Sequence, residues 1–267
     1  MNEIEMAKVR KAEQAAQDAR NGGGTGRRKG LSVFRLKVVG AVFMALSVAS
    51  ATLVPLIFGA PTADNMTALT VAVVCEIASW CAVPIYAWLL FDGWRHTRNR
   101  WRYGSRLFVA ACLAGLPYDR IMTGHWFDAH THNPLWGLVF AYIVLVAVDW
   151  IGARYAQAGA LRWALTVLVI VAGVLWNLLL RIGVSQQVMY SGVITLAFVM
   201  VFYFLHRHEN TMMFTAGLLG AVSCITPGIG VAFLHYRNDR LGYAHPWTKW
   251  VFYALYPAML LLGALLV

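Results

Sequence analysis

The sequence predicts an all-α, polytopic helical membrane protein with about eight transmembrane helices and a cytoplasmic N-terminus. Three observations lead there. Hydrophobic residues make up 60% of the chain and charged residues only 13%, roughly half the charged share of a soluble domain. From Leu36 onward, apolar stretches of about 20 residues recur, the length that crosses a hydrocarbon core. Lysine and arginine are distributed unevenly between the connections, which sets orientation in a membrane.

Residues 1–35 read as a cytoplasmic basic N-terminal segment, a helix followed by a Gly-rich hinge. MNEIEMAKVRKAEQAAQDAR is rich in Ala, Glu, Lys and Gln, which favour helix, but has too few apolar positions for a deep stripe. It does not resemble a secretory signal, because the first long apolar run starts only after residue 35. The glycines of NGGGTGRRKG lack the preceding strand that a phosphate-cradling loop needs, so they read as a hinge beside a basic membrane-surface anchor. Residues 36–267 form the multi-helix transmembrane domain. Its spanning candidates are 36–58, 67–91, 104–121, 134–151, 161–182, 186–205, 212–234 and 248–267. With the N-terminus inside, 17 of the 22 Lys and Arg face the cytoplasm and five face out. TPGIG (Thr226–Gly230) interrupts the seventh candidate, and a re-entrant segment there would move the C-terminus outside.

The net charge of +10 therefore reports topology and not a nucleic-acid partner. The four cysteines form no CxxC pair and suggest neither a disulfide framework nor a zinc site. The outer loop carries His125, Asp128, His130 and His132, but their spacing is not a common zinc pattern, and no metal site is expected. Charged groups at membrane depth are costly, which singles out Glu76, about halfway along the second span. Asp149 and Arg154 read as interfacial, and Asn177 and Arg181 as an interhelical hydrogen-bonding pair.

The most unusual stretch is DGWRHTRNRWRYGSR (92–106), with five arginines, a histidine and three aromatics between two apolar runs. Asp92 and His96 are four residues apart, so a helix continuing past Phe91 puts both on one face. A carboxylate there fixes the imidazole tautomer and raises its basicity, as a general base requires, although an interfacial ion pair has the same spacing.

This stretch resembles the TraX-like family, named for a membrane protein that acetylates the N-terminus of conjugative pilin. The family block of an acid, Gly, two further residues, His-Thr-Arg-Asn, and then a short span ending in Pro-aromatic-Asp is similar to Asp92, Gly93, His96, Thr97, Arg98 and Asn99, then Pro117, Tyr118 and Asp119. NPLWGLVFAYIVLVAVDW resembles the following span, with Asn133 and Asp149 at its ends, and YRNDRLG and KWVFYALYP also look like family segments. The resemblance runs, with gaps, over roughly residues 35–267.

The resemblance implies transfer of an acetyl or other acyl group from acyl-CoA to an envelope acceptor, whether protein, glycan or lipid, in the bacterial cytoplasmic membrane. Arg98, Arg100, Arg102 and Arg106 would hold the CoA phosphates, since guanidinium suits phosphate. Trp94, Trp101 or Tyr103 could pack on adenine. His96 would be the base, oriented by Asp92, with Glu76 as a further catalytic candidate. Departures are equally concrete. Where the family's first span has an Asp-His pair after a methionine, aligning on Met44 gives Ser47 and Val48. Its Gly-Arg appears as Ser79 and Trp80, and its C-terminal His as Met259. Two alternatives stay open: a catalytically silent relative acting in binding or assembly, and a transporter.

Overall fold

The structure, a computed structural model, describes residues 30–182, 184–185, 189–238, 240–242, 245 and 247–267. The helix expected over residues 1–20 and the Gly-rich stretch up to residue 29 lie outside them. The described chain is helical apart from its connecting turns and loops and one short hairpin of two-residue strands. In order it contains α1 (Val33–Ala51), α2 (Leu53–Phe58), α3 (Met66–Ser79), α4 (Ala82–His96), α5 (Arg100–Thr123), α6 (Leu135–Arg154) and α7 (Gly159–Leu179). Then come β1 (Val184–Ser185) and β2 (Met189–Tyr190), paired antiparallel, followed by α8 (Ser191–Leu205), α9 (Glu209–Ser223), α10 (Ile225–His235) and α11 (Thr248–Leu266).

Polar side chains set several helix starts. Ser32 accepts from the Arg35 N–H at 3.3 Å, Asn65 from Ala68 at 3.2 Å, and Asn99 from Arg102 at 3.0 Å, each satisfying an N–H with no intrahelical partner. Pro84 has no N–H to offer the Trp80 carbonyl, and the Val83 N–H takes that oxygen at 3.1 Å. The expected second span is accordingly two helices, α3 and α4, which meet end to end at Trp80–Cys81. Gly124 closes α5 in the left-handed region, φ +76°, its N–H on the Arg120 carbonyl.

The core lies where α4, α6 and α8 meet, around Ile85, Trp88, Phe91, Leu145, Phe198 and Phe202. Four helical segments are long and apolar enough to cross a bilayer: Val33–Ala51, Met66–His96, Leu135–Arg154 and Gly159–Leu179. The last of these buries only Thr166, Gly173 and Asn177, while Leu168, Val171, Leu175 and Leu179 are exposed. That surface suits hydrocarbon and not water.

The expected single span at 212–234 is corrected. Cys224 is extended (φ −178°, ψ 147°), and the chain folds back there, so α9 and α10 form a helical hairpin. Arg237 pairs with Glu209 at 2.9 Å at its open end, and a Cβ on Gly220 would sit 2.8 Å from the Gly228 Cα near its tip. The physical reason is the Pro-Gly-x-Gly sequence, which interrupts the helix and lets two backbones approach. The two arms, of 15 and 11 residues, are about 22 and 16 Å long, and they begin and end on the same side, where Arg237 meets Glu209. The tip rests on the α3–α4 junction, where the Cys81 thiol donates to the Thr226 carbonyl at 3.0 Å.

The hairpin returns the chain to the end where α1 begins. Leu31 N–H donates to Tyr236 O (2.7 Å), Val33 N–H to Arg240 O (2.8 Å) and Phe34 N–H to Leu241 O (3.0 Å). The YRNDRLG segment thus supplies carbonyls to the free N–H groups at the start of α1.

Candidate functional site

Among the described residues, every arginine and lysine except Arg120 and Arg181 lies at or within about two turns of one end of the bundle. The 92–106 turn stands at that end, and its motif residues build it. The Thr97 N–H closes α4 on the Trp94 carbonyl, and Asn99 caps α5. Glycines at 93 and 104 admit two tyrosines: a Cβ at Gly93 would lie 2.6 Å from Tyr103 Oη, and one at Gly104 2.7 Å from Tyr142 Cε1. Tyr142 Oη donates to the Arg100 carbonyl at 2.7 Å.

This scaffold separates the arginines expected to act together. Arg100 pairs with Asp149 on α6 at 2.7 Å and lies over the Trp94 ring at 5.1 Å. Arg106 lies over Trp250 of α11 at 4.8 Å. Both therefore anchor the turn to neighbouring helices. Arg98 and Arg102 are exposed and, among the described residues, have no side-chain partner; Arg95 shares that state, as does Trp101, 90% exposed.

Asp92 and His96 belong to the same turn as these arginines. His96 Nδ1 lies 2.9 Å from the Asp92 carbonyl oxygen and 3.2 Å from its Oδ1. Both partners accept, so the proton belongs on Nδ1 and the lone pair of Nε2 points away from the pair. The ring is 70% exposed and occupies the last turn of α4.

A groove of about 390 Å³ lies at the same end, lined among others by Arg162, Trp163, Tyr203, His206 and Arg207. Tyr203 connects it to the turn, with its Oη 3.4 Å from Asp149 Oδ1 and its ring 5.8 Å from that of Trp94. Sequence reading passed over this groove. Its only signals are the short basic connections at 154–162 and 206–209, which look like ordinary loop polarity.

Glu76 is placed elsewhere. It precedes Asp92 by sixteen positions along α3 and α4, about 24 Å at helical rise. It is 6% exposed and accepts from Ser47 Oγ (3.0 Å), Ser50 Oγ (3.2 Å) and Trp80 Nε1 (3.3 Å). The three catalytic candidates are thus a pair and a separate residue.

The remaining motif residues organise the far end of the bundle. Pro117, Tyr118 and Asp119 are buried in α5. The Asp119 carboxylate takes the Asp128 N–H at 3.1 Å and the Thr131 hydroxyl. Asn133 donates to the Ala111 carbonyl at 2.9 Å and accepts from the Leu135 N–H at 3.0 Å. Together they hold the 124–134 loop on the bundle. Within that loop the His130 N–H donates to Asp128, which holds that carboxyl below the usual aspartate range. Among the described residues, no three of His, Cys, Asp and Glu converge as metal ligands.

Apolar helices with a lipid-like exterior and one arginine-rich end define a helical membrane-type protein. The particular lineage is equally clear. The family model described as TraX protein matches residues 35–267, and the chain belongs to the TraX family. No curated protein and no solved structure matches it.

Proposed function

We propose that this TraX-family chain is an integral-membrane acyltransferase that takes an acetyl or other acyl group from acyl-CoA to an envelope acceptor. The observation that carries the reading is the Asp92–His96 pair in the same turn as Arg95, Arg98 and Arg102, whose exposed guanidinium groups have no partner among the described residues. Coenzyme A is a soluble polyanion, and guanidinium groups bind phosphate through paired hydrogen bonds. Arg162 and Arg207 extend the positive surface along the adjoining groove. In this reading the basic end faces the cytoplasm of a bacterial cell. The α9–α10 hairpin is re-entrant, which leaves seven crossings and puts the C-terminus on the opposite side.

The chemistry is acyl transfer from a thioester. His96 Nε2 accepts a proton from an acceptor amine or hydroxyl as that atom attacks the thioester carbonyl. Collapse breaks the C–S bond, the acyl group stays on the acceptor, and the imidazolium returns its proton to the CoA sulfur. Asp92 holds the tautomer and stabilises the imidazolium. Exchanging His96 for Gln should leave acetyl-CoA binding intact and reduce transfer by roughly 10²–10⁴-fold, the span of general-base contributions. Transfer at the parent rate would remove the base role.

One observation favours a second reading, a TraX relative that binds acyl-CoA without turnover. The buried carboxylate at membrane depth faces Ser47 at 3.0 Å, at the place where the family resemblance leads one to expect an acid and an imidazole. Saturable acetyl-CoA binding with no transfer to amine, hydroxyl or envelope-extract acceptors would select that reading.

A further inference from the structure

A cavity of about 110 Å³ opens beside Glu76, well away from the basic end. Met122, Pro134 and Ser191, from the far-end turns, line one part of it, and Glu76, Trp80 and Tyr86 lie further in. All three groups that donate to Glu76 are neutral, and among the described residues no Lys, Arg or His lies within ion-pair distance of it. A carboxylate at this depth without a counter-charge is costly. The walls are the second observation. Trp80, Tyr86, Tyr118 and Tyr256 present four aromatic side chains to the same small space. Tyr118 and Tyr256 are each only 7% exposed. None of the three phenol hydroxyls has a hydrogen-bond partner among the described residues.

Aromatic rings around a carboxylate, with hydroxyl oxygens to spare, form a recognition set for an organic ammonium ion. The ring quadrupoles attract the cation, Glu76 neutralises it, and the phenol oxygens accept its N–H groups. At about 30 Å³ of liquid volume per water-sized group, the cavity holds roughly three or four heavy atoms. We propose that this cavity binds a small primary ammonium cation, with its nitrogen on Glu76 and its alkyl part against the rings of Trp80, Tyr118 and Tyr256. The site stands apart from the acyl-transfer reading, because the 24 Å or so between Glu76 and Asp92 along the helix prevents one small ligand from meeting both.

The test uses the purified full-length protein in detergent, followed by tryptophan fluorescence and thermal unfolding at fixed ionic strength. The probes are ethylammonium, tetramethylammonium, sodium and ethanol. Ethylammonium should give a saturable response and raise the unfolding temperature. Sodium and tetramethylammonium should bind at least roughly tenfold more weakly, and ethanol should give no saturable response. Glu76→Gln should abolish the ethylammonium response. Tyr256→Phe, which keeps the ring and removes only a hydroxyl, should weaken it several-fold, and that variant with the wild-type probe series decides the matter if Glu76→Gln misfolds. Equal responses to sodium and ethylammonium, no saturable response in the wild type, or unchanged affinity in Glu76→Gln would each overturn the proposal.

Discussion

Replacing arginines within the 92–106 turn should separate two effects that its sequence runs together. Arg98 and Arg102 are exposed and, among the described residues, have no side-chain partner, so removing both costs the fold almost nothing. An ideal charge-assisted contact contributes about 1.5–3 kcal/mol, but exposed pairs are screened to about 0.5–1 kcal/mol each. The Arg98→Ala/Arg102→Ala double variant should therefore lose about 1–2 kcal/mol of acetyl-CoA binding, a roughly 5–30-fold weaker Kd. The loss should shrink as salt rises and the screening length falls from about 8 Å at 0.15 M toward 3 Å at 1 M. Arg100→Ala removes a 2.7 Å ion pair and a contact with Trp94, and leaves Asp149, among the described residues, with Tyr203 at 3.4 Å. Its main cost, about 1–2 kcal/mol, falls on stability, a Tm drop of roughly 2–8 °C for a chain of this size. Equilibrium acetyl-CoA binding and thermal unfolding, measured on both variants in the same detergent, give a crossed pattern if the assignment holds. A double variant that binds like the parent, or an Arg100→Ala protein with unchanged Tm, would falsify it.

The other predictions concern the scaffold. Gly93→Ala places a methyl group 2.6 Å from Tyr103 Oη and should cost about 1–3 kcal/mol, with Tyr103→Leu in the same chain recovering part of the lost Tm. Gly220→Val drives a side chain into the Gly228 backbone at 2.8 Å, where no rotamer change gives relief, so protease sensitivity should rise at the α9–α10 turn. Asp119→Ala orphans the Asp128 N–H and leaves the Thr131 hydroxyl with the Asp128 carbonyl at 3.5 Å; hydrogen exchange in 124–134 should speed up by an order of magnitude or more, for a loss of about 1–3 kcal/mol. The Asp128 carboxyl is held low by the His130 N–H. Its contribution to loop order is present above the ordinary aspartate range and is lost as pH falls through the lowered value. The His130 amide resonance should accordingly titrate below that range, and a midpoint at or above it would contradict the geometry.

The helical class and the break at TPGIG were legible because each is local: apolar runs of spanning length, and residues that cannot continue a helix. The direction of the chain after the break was not legible. The same Pro-Gly-x-Gly that kinks a helix also permits a fold-back, and the choice depends on Gly220 and on Arg237 reaching Glu209. The basic composition of the turn could be read from the sequence, and the Asp92–His96 contact from helical periodicity. Its division of labour could not, because Arg100 and Arg106 find Asp149 and Trp250 on distant helices. Likewise, Ser47 read only as a departure from a family pattern, while in the fold its hydroxyl is a ligand of Glu76.

The bonds from Leu31, Val33 and Phe34 to the carbonyls of 236–241 join segments about 200 residues apart in the chain, and they constrain biosynthesis. At about 5–20 residues per second, a ribosome needs roughly 10–40 s between making Leu31 and making Arg237. Through that interval the leading amides of α1 lack these carbonyl partners, because the 236–241 segment is not yet made. Closure is then a late event, and a chain released before residue 236 is left with the start of α1 open.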